Sequence, residues 1–111
     1  MAQTPSNMLP LGTKASNFYL KDTISNSFLD YNDCKGKKGT LVFFICNHCP
    51  FVHHVMDEII RIANDYRVQG IGFVAISSND VEKYPMDSPA LMYDFAFKNH
   101  FEFPYLYDES Q

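Results

Sequence analysis

Cysteine, basic side chains and long apolar runs are all scarce in this sequence of 111 residues. Three cysteines are a poor basis for a framework of structural disulfides. The nine Lys and Arg are outnumbered by 13 Asp and Glu, and the formal net charge of -4 opposes binding to nucleic acid or anionic membranes. No run approaches the ~18 apolar residues of a membrane span, and the N-terminal segment lacks the pattern of a secretory signal. We therefore expect a cytoplasmic protein without nucleic-acid or membrane partners.

Proline and glycine, at six and five residues, are not enriched, which fits neither a collagen-like nor a disordered chain. Hydrophobic residues make up 46% of the sequence, and a globular chain of this length removes about 65% of its unfolded-state surface from water. Residues 1–16 are rich in Pro, Ser, Thr and Asn, and they predict an irregular N-terminal arm. Residues 17–111 are expected to form one folded domain.

Hydrophobic patterning in that domain predicts an α/β fold. The expected elements are a hairpin (18–20 and 27–29), a strand (40–45), a helix (50 to about 69), a strand (71–77), a helix (89 to about 100) and a strand (103–107). The runs 40–45 and 71–77 are continuously apolar, which is typical of strands buried on both faces of a sheet. With the helix between them they form a βαβ unit. Pro104 limits the last strand to a sheet edge or to a strand start.

Two of the three cysteines stand in the motif Cys46-Asn47-His48-Cys49, where the first buried strand ends and an amphipathic helix begins. The first turn of a helix offers unpaired N–H groups and a positive dipole end, and both stabilise a thiolate. We therefore expect the pKa of Cys46 to fall below the value of about 8.5 that is typical of a free thiol. Cys46 is predicted to be the more exposed thiol and the nucleophile. Cys49 is placed to attack the mixed disulfide formed at Cys46.

His48 lies between the two cysteines and can donate a hydrogen bond or a partial positive charge to the Cys46 thiolate. Such a contact stabilises the reduced form and makes the disulfide a stronger oxidant. The alternative is an exposed turn residue without a role.

Other readings of the same residues remain open. Cys46, Cys49, His53 and His48 together offer the thiolate and imidazole ligands that suit zinc or copper(I), so a metal-binding or metallochaperone module is the main alternative. An inactive interaction domain is a second alternative. Cys34 is interpreted as a loop or small apolar residue, with a peripheral regulatory thiol as the alternative. Asp80, Tyr84 and Asp87 are candidates for a loop near the dithiol, although turn formation and helix capping explain such residues equally well.

Residues 43–52, centred on Cys46-Asn47-His48-Cys49-Pro50, together with the flanking segments 35–39, 77–80 and 84–88, resemble thioredoxin-like proteins of the redoxin group. That group includes the alkyl hydroperoxide reductase and thiol-specific antioxidant families. The resemblance implies a thioredoxin fold with Cys46 as nucleophile and Cys49 as resolving thiol. It implies no organic cofactor. The implied partners are a protein or small-molecule disulfide and a thiol reductant, and a homo-oligomer is a further expectation.

The sequence lacks the signature motifs of two related families, the peroxiredoxins and the thioredoxins. Peroxiredoxins carry Thr three residues before the reactive Cys, whereas Phe43 holds that position before Cys46. The thioredoxin signature Trp-Cys-Gly-Pro-Cys is also absent, since the sequence contains no Trp and Ile45 precedes the motif. A peroxiredoxin-type site is therefore not supported, although a peroxide-reducing, antioxidant role stays among the expectations.

The resemblance also implies a longer fold, with a strand opened by a cis-proline that faces the dithiol, a final strand and a closing helix. We therefore expect the 111 residues to be the N-terminal part of a longer redoxin. Such a part would leave one face of its sheet uncovered, or would cover it by pairing with a second copy.

Overall fold

The computed structural model describes residues 9–47, 49–78 and 81–109. Its elements are β1 (Tyr19–Asp22), β2 (Phe28–Asp30), the single-turn helix α1 (Tyr31–Cys34), β3 (Gly39–Phe44), α2 (Pro50–Arg67), β4 (Ile71–Ser77), a 3-10 turn (Pro85–Asp87), α3 (Pro89–Lys98) and β5 (Tyr105–Tyr107). The predicted strands and long helices are confirmed to within about two residues at their ends. His48 and Asp80 lie outside the described residues.

The five strands form one sheet in the order β2-β1-β5-β4-β3. Strands β3, β4 and β5 are parallel, and β1 runs antiparallel to both β2 and β5. Pairing of Phe44 with Ile76, and of Ser77 with Tyr107, brings the carboxyl ends of the three parallel strands to one edge of the sheet. This edge is where α/β sheets place their functional groups.

Helices α2 and α3 cover one face of the sheet. The core on that face consists of Ala63, Phe73, Ala75, Met92, Ala96, Phe103 and Tyr105. On the opposite face, Val74, Ile76 and Leu106 pack with Cys34 of α1. The alternation along β4 explains the division, because successive side chains of a strand point to opposite faces.

Strand β3 is not buried on both faces, so that expectation is wrong. Val42 is 39% exposed and Phe44 is 67% exposed. Within the described residues, β3 pairs only with β4 and lies at the edge of the sheet. The apolar run correctly predicted a strand, but its burial depends on which elements lie beside it.

Local sequence signals explain several element boundaries. The Ser88 side chain caps α3 by accepting a hydrogen bond from the Leu91 N–H at 3.4 Å. Pro104 precedes β5 as a strand-start residue, and its carbonyl oxygen accepts from the Ala75 N–H. Helix α1 was not predicted, although Asp30 and Asp33 form a capping box at its start. None of the helices in the described part of the chain is both long and apolar enough to cross a membrane.

Candidate active site

The dithiol motif lies at the junction of β3 and α2, as the sequence predicts. Ile45 extends the β3 ladder by donating its N–H to the Ile76 carbonyl oxygen at 3.0 Å, and Cys46 follows directly. Cys49 is the N-cap residue of α2, and Pro50 occupies the first helical position. The Cys49 carbonyl oxygen accepts the N–H groups of Val52 and His53 at 3.1 and 3.2 Å. Both thiols therefore lie just before the first turn of a long helix.

Both thiols of the motif are buried. Cys46 is 5% exposed and Cys49 is 6% exposed, so the expectation that Cys46 is the more exposed thiol is wrong. Asn47, the next residue, is buried as well, and its side chain bonds to the 3-10 turn Pro85–Asp87, so this part of the motif packs against that loop and not at the surface. All three cysteines of the chain are free thiols in the structure.

Burial also reverses the expected acidity of the nucleophile. The pKa of Cys46 is raised to about 11, mainly by removal from water, and the nearby Asp87 and Cys49 contribute in the same direction. A hydrogen bond from the Cys49 backbone N–H opposes this by lowering the pKa of Cys46. The helix start thus supplies the predicted stabilising donor, but desolvation outweighs it. The resting site favours the thiol over the thiolate.

Asn47 is the centre of a buried hydrogen-bond network. Its side-chain Nδ2 donates to the Met86 carbonyl oxygen at 2.7 Å, and its Oδ1 accepts from the Tyr105 hydroxyl at 2.8 Å. Its backbone N–H donates to Asp87 Oδ1 at 2.7 Å. Asn47 is 4% exposed, while Tyr105 and Asp87 are fully buried. These bonds fix the conformation of Asn47, the residue directly after Cys46.

Tyr105 enters this network as a neutral phenol. Burial, together with the charge of Asp87, raises the pKa of Tyr105 well above its usual range. The hydroxyl therefore keeps its proton and donates a hydrogen bond to Asn47 Oδ1. The sequence indicated Tyr105 only as a core aromatic, because the contact joins residues 58 positions apart and leaves no local signal.

Asp87 reaches the site from the loop between β4 and α3. The sequence marked it as a candidate near the dithiol or as a turn residue, and the structure shows both properties. Its N–H donates to the Tyr84 carbonyl oxygen at 2.9 Å within the 3-10 turn, while its carboxylate accepts from Asn47.

His53 belongs to the metal-binding alternative, and its ring contacts the backbone of the motif. Its Nε2–H donates to the carbonyl oxygen of Asn47, and its ring packs edge-on against Phe95 at 5.3 Å between centroids. Over residues 9–47, 49–78 and 81–109, no group of three or more His, Cys, Asp or Glu side chains is arranged to hold a metal ion. The metal-binding alternative gains no support from this arrangement.

Cys34 does not join the dithiol. It ends α1 and packs in the core against Val74, Ile76 and Leu106, which confirms its interpretation as a small apolar residue. Its pKa is raised to about 11, mainly by burial and also by three carboxylates, of which Asp33 has the largest effect. A thiol in this environment is a poor nucleophile.

The surface beside the dithiol is apolar. Phe44 and Phe51 are 67% and 70% exposed, and Met86, whose carbonyl oxygen binds Asn47, is 58% exposed. Phe44 precedes Cys46 by two residues and Phe51 follows Cys49 by two. We call Phe44, Phe51 and Met86 the apolar rim.

A model of the AhpC/TSA family matches residues 11–111. A search of the curated proteins finds no match.

Solved structures resemble the chain over most of its length. The chain is similar to an uncharacterized conserved protein from Geobacillus kaustophilus, with 50% identity and a TM-score of 0.92 over 95% of this chain and 56% of that one. A hypothetical protein from Sinorhizobium meliloti is 35% identical with a TM-score of 0.89, over 95% and 57% of the two chains. The chain thus spans somewhat more than half the length of these relatives.

A more distant structure shows the same fold. It is a secreted disulfide oxidoreductase from Mycobacterium tuberculosis, with 21% identity and a TM-score of 0.64 over 82% of this chain and 60% of that one. The thioredoxin-like fold expected from the sequence is therefore confirmed.

Proposed function

Because the chain belongs to the AhpC/TSA family, we propose that it is a thiol-disulfide oxidoreductase in which Cys46 is the nucleophile and Cys49 the resolving thiol. The observation that carries this proposal is the position of the motif. Two free thiols lie at a helix start near the carboxyl ends of the parallel strands, and buried hydrogen bonds hold Asn47, the residue after Cys46.

The proposed reaction transfers two electrons and two protons from the dithiol to a substrate disulfide. The Cys46 thiol loses its proton, and its sulfur attacks one substrate sulfur. The substrate S–S bond breaks, the first substrate thiolate leaves and takes up a proton, and a mixed disulfide with Cys46 remains. Cys49 then loses its proton and attacks the Cys46 sulfur, which releases the second substrate thiol and closes the Cys46–Cys49 disulfide. A thiol reductant returns the pair to the dithiol.

The acidity of Cys46 favours a role as reductant over a role as oxidant. Strongly oxidising dithiols owe their potential to a stabilised thiolate in the reduced form, and burial opposes that thiolate here. With a pKa of about 11, on the order of one Cys46 in ten thousand is ionised at neutral pH. The tuning role of His48, which would act in the opposite direction, stays a prediction.

The apolar rim supports a disulfide substrate that docks through apolar contacts. Exposed phenylalanine and methionine side chains such as these are typical of binding surfaces. The substrate is a protein or small-molecule disulfide, and the protein acts in the cytoplasm. A homo-oligomer remains part of the proposal.

Peroxide reduction is a second candidate activity, and the match to the AhpC/TSA family is the observation that favours it. A peroxide would be attacked by the same Cys46 sulfur, which would become a sulfenic acid and release water or an alcohol. Cys49 would then displace water from that sulfur and form the Cys46–Cys49 disulfide.

The test is reduction of insulin disulfides by dithiothreitol, measured with and without the chain. We expect the chain to accelerate the reaction and Cys46→Ser to abolish the acceleration. Cys34→Ser is the matched control and should retain full activity, since Cys34 lies in the core away from the motif. Equal activity of Cys46→Ser and the unsubstituted chain would refute the proposal. Consumption of hydrogen peroxide under the same conditions tests the second activity.

A further inference from the structure

A fully buried carboxylate lies next to the main chain that follows Cys46. Asp87 has no solvent exposure, and its Oδ1 accepts the Asn47 backbone N–H at 2.7 Å. That nitrogen is bonded to the carbonyl carbon of Cys46, so the carboxylate binds the peptide unit that joins the nucleophile to the next residue. The contact spans 40 positions of sequence.

The 3-10 turn that carries Asp87 is held by two backbone hydrogen bonds of its own. The Asp87 N–H bonds to Tyr84, and the Ser88 N–H bonds to Pro85 at 3.2 Å. Ser88 then caps α3. Because the 3-10 turn and the helix start restrain the backbone on either side, the carboxylate keeps a fixed position relative to the motif.

We propose that Asp87 is a positioning residue of the dithiol: it anchors the main chain directly after Cys46 through the Asn47 amide, and its buried charge adds to the burial that disfavours the Cys46 thiolate. The anchoring part does not depend on the proposed function. The consequence for reactivity rests on the proposed function, because it treats Cys46 as the nucleophile.

The anchoring follows from the type and location of the bond. A hydrogen bond to an ionised carboxylate is stronger than one between neutral groups, and a buried amide without an acceptor would be costly. Asp87 therefore fixes the Asn47 backbone, while Met86 and Tyr105 fix its side chain. Together these bonds restrain both the main chain and the side chain of one residue inside the motif.

The effect on reactivity follows from the sign of the charge. Among the described groups, the charge of Asp87 and the Cys49 thiol both oppose the Cys46 thiolate, and the Cys49 backbone N–H favours it. Tyr105, the other titratable group in the network, is a neutral phenol. A dithiol held as thiols reacts slowly with small electrophiles and oxidants, because the thiolate is the reactive species.

The test separates charge from shape by comparing Asp87→Asn with Tyr105→Phe in the full chain. Asn keeps an Oδ1 acceptor for the Asn47 amide and removes the charge. Tyr105→Phe removes a hydroxyl from the same network and keeps the charge. The readout is the rate of Cys46 alkylation by iodoacetamide from pH 6 to 11, followed by mass spectrometry of the peptide that contains Cys46.

We expect Asp87→Asn to speed alkylation at pH 7 about three- to tenfold and to move the whole rate profile to lower pH, since tenfold corresponds to one pKa unit. Tyr105→Phe should leave the midpoint of the profile in place. An unchanged profile in folded Asp87→Asn would overturn the charge effect, and so would an equal shift in Tyr105→Phe. If Asp87→Asn does not fold, Asp87→Ser, which keeps a hydroxyl acceptor without a charge, is measured against the same criterion.

Failure of this inference is distinguishable from failure of the proposed function. The alkylation rate reports the acidity of Cys46 whether or not the protein reduces disulfides. An inactive chain with a shifted Asp87→Asn profile would refute the function and support the inference, while an active chain with an unshifted profile would do the reverse.

Discussion

The hydrogen bond between Tyr105 and Asn47 should be measurable as a coupling in the stability of the protein. It joins two buried side chains at 2.8 Å, and it connects strand β5 to Asn47 of the Cys46–Cys49 motif. Asn47→Ala removes this bond and the 2.7 Å bond to the Met86 carbonyl oxygen. Tyr105→Phe removes only the first bond and preserves the aromatic packing.

The expected magnitudes follow from what each change leaves unsatisfied. A buried hydrogen bond contributes about 1 kcal/mol, and an abandoned buried partner costs about 1–3 kcal/mol. We therefore expect Tyr105→Phe to lower the free energy of unfolding by ~1–2 kcal/mol and Asn47→Ala by ~2–4 kcal/mol. The loss of unfolding free energy in the double variant should be smaller than the sum of the two single losses by ~1 kcal/mol, because both single variants remove the same bond between Tyr105 and Asn47.

Urea unfolding at pH 7 under reducing conditions gives the free energy of unfolding of the unsubstituted chain, the two single variants and the double variant. The far-UV signal reports the helices, and equal slopes against denaturant confirm that only stability changes. Additive effects, with a coupling below about 0.5 kcal/mol, would refute the contact between Tyr105 and Asn47. A double variant less stable than the sum would refute it as well.

Two further predictions concern the thiols and the rim. The pKa values of Cys34 and Cys46 are raised from 9.0 in the unfolded chain to about 11 in the folded one; the stability they contribute is therefore present below pH 9 and is lost as the pH rises towards 11. Urea midpoints at pH 8 and pH 10 should show this loss, and a higher midpoint at pH 10 would contradict it. Phe51→Ala should raise the KM for insulin several-fold and leave the urea midpoint nearly unchanged, since Phe51 is 70% exposed; an unchanged KM would remove Phe51 from the docking surface.

Much of the fold could be predicted because its signals are local. The β-rich apolar run of 71–77 gave β4 with both ends correct, and the pair Ser88-Pro89 gave the start of α3. The motif at the junction of β3 and α2 was likewise readable from strand, cysteine and proline in succession. In each case neighbouring residues determine the structure.

The environment of the thiols could not be predicted, because distant residues create it. Cys46 is buried beside Asn47, and the partners that hold the Asn47 side chain, Met86 and Tyr105, lie 39 and 58 positions away. Helix-dipole reasoning alone therefore gave the wrong direction for the pKa of Cys46. The exposure of β3 escaped prediction for the same reason, since its neighbours in the sheet determine it.

A redox titration of Cys46 and Cys49 tests the central claim most directly. The protein is equilibrated in buffers of oxidised and reduced dithiothreitol and glutathione, then alkylated and analysed by mass spectrometry. We predict that the two thiols disappear together in one two-electron transition, with a midpoint nearer about -270 mV than about -120 mV. Independent alkylation of Cys46 and Cys49 at every potential would show that they form no redox pair, and would contradict the account.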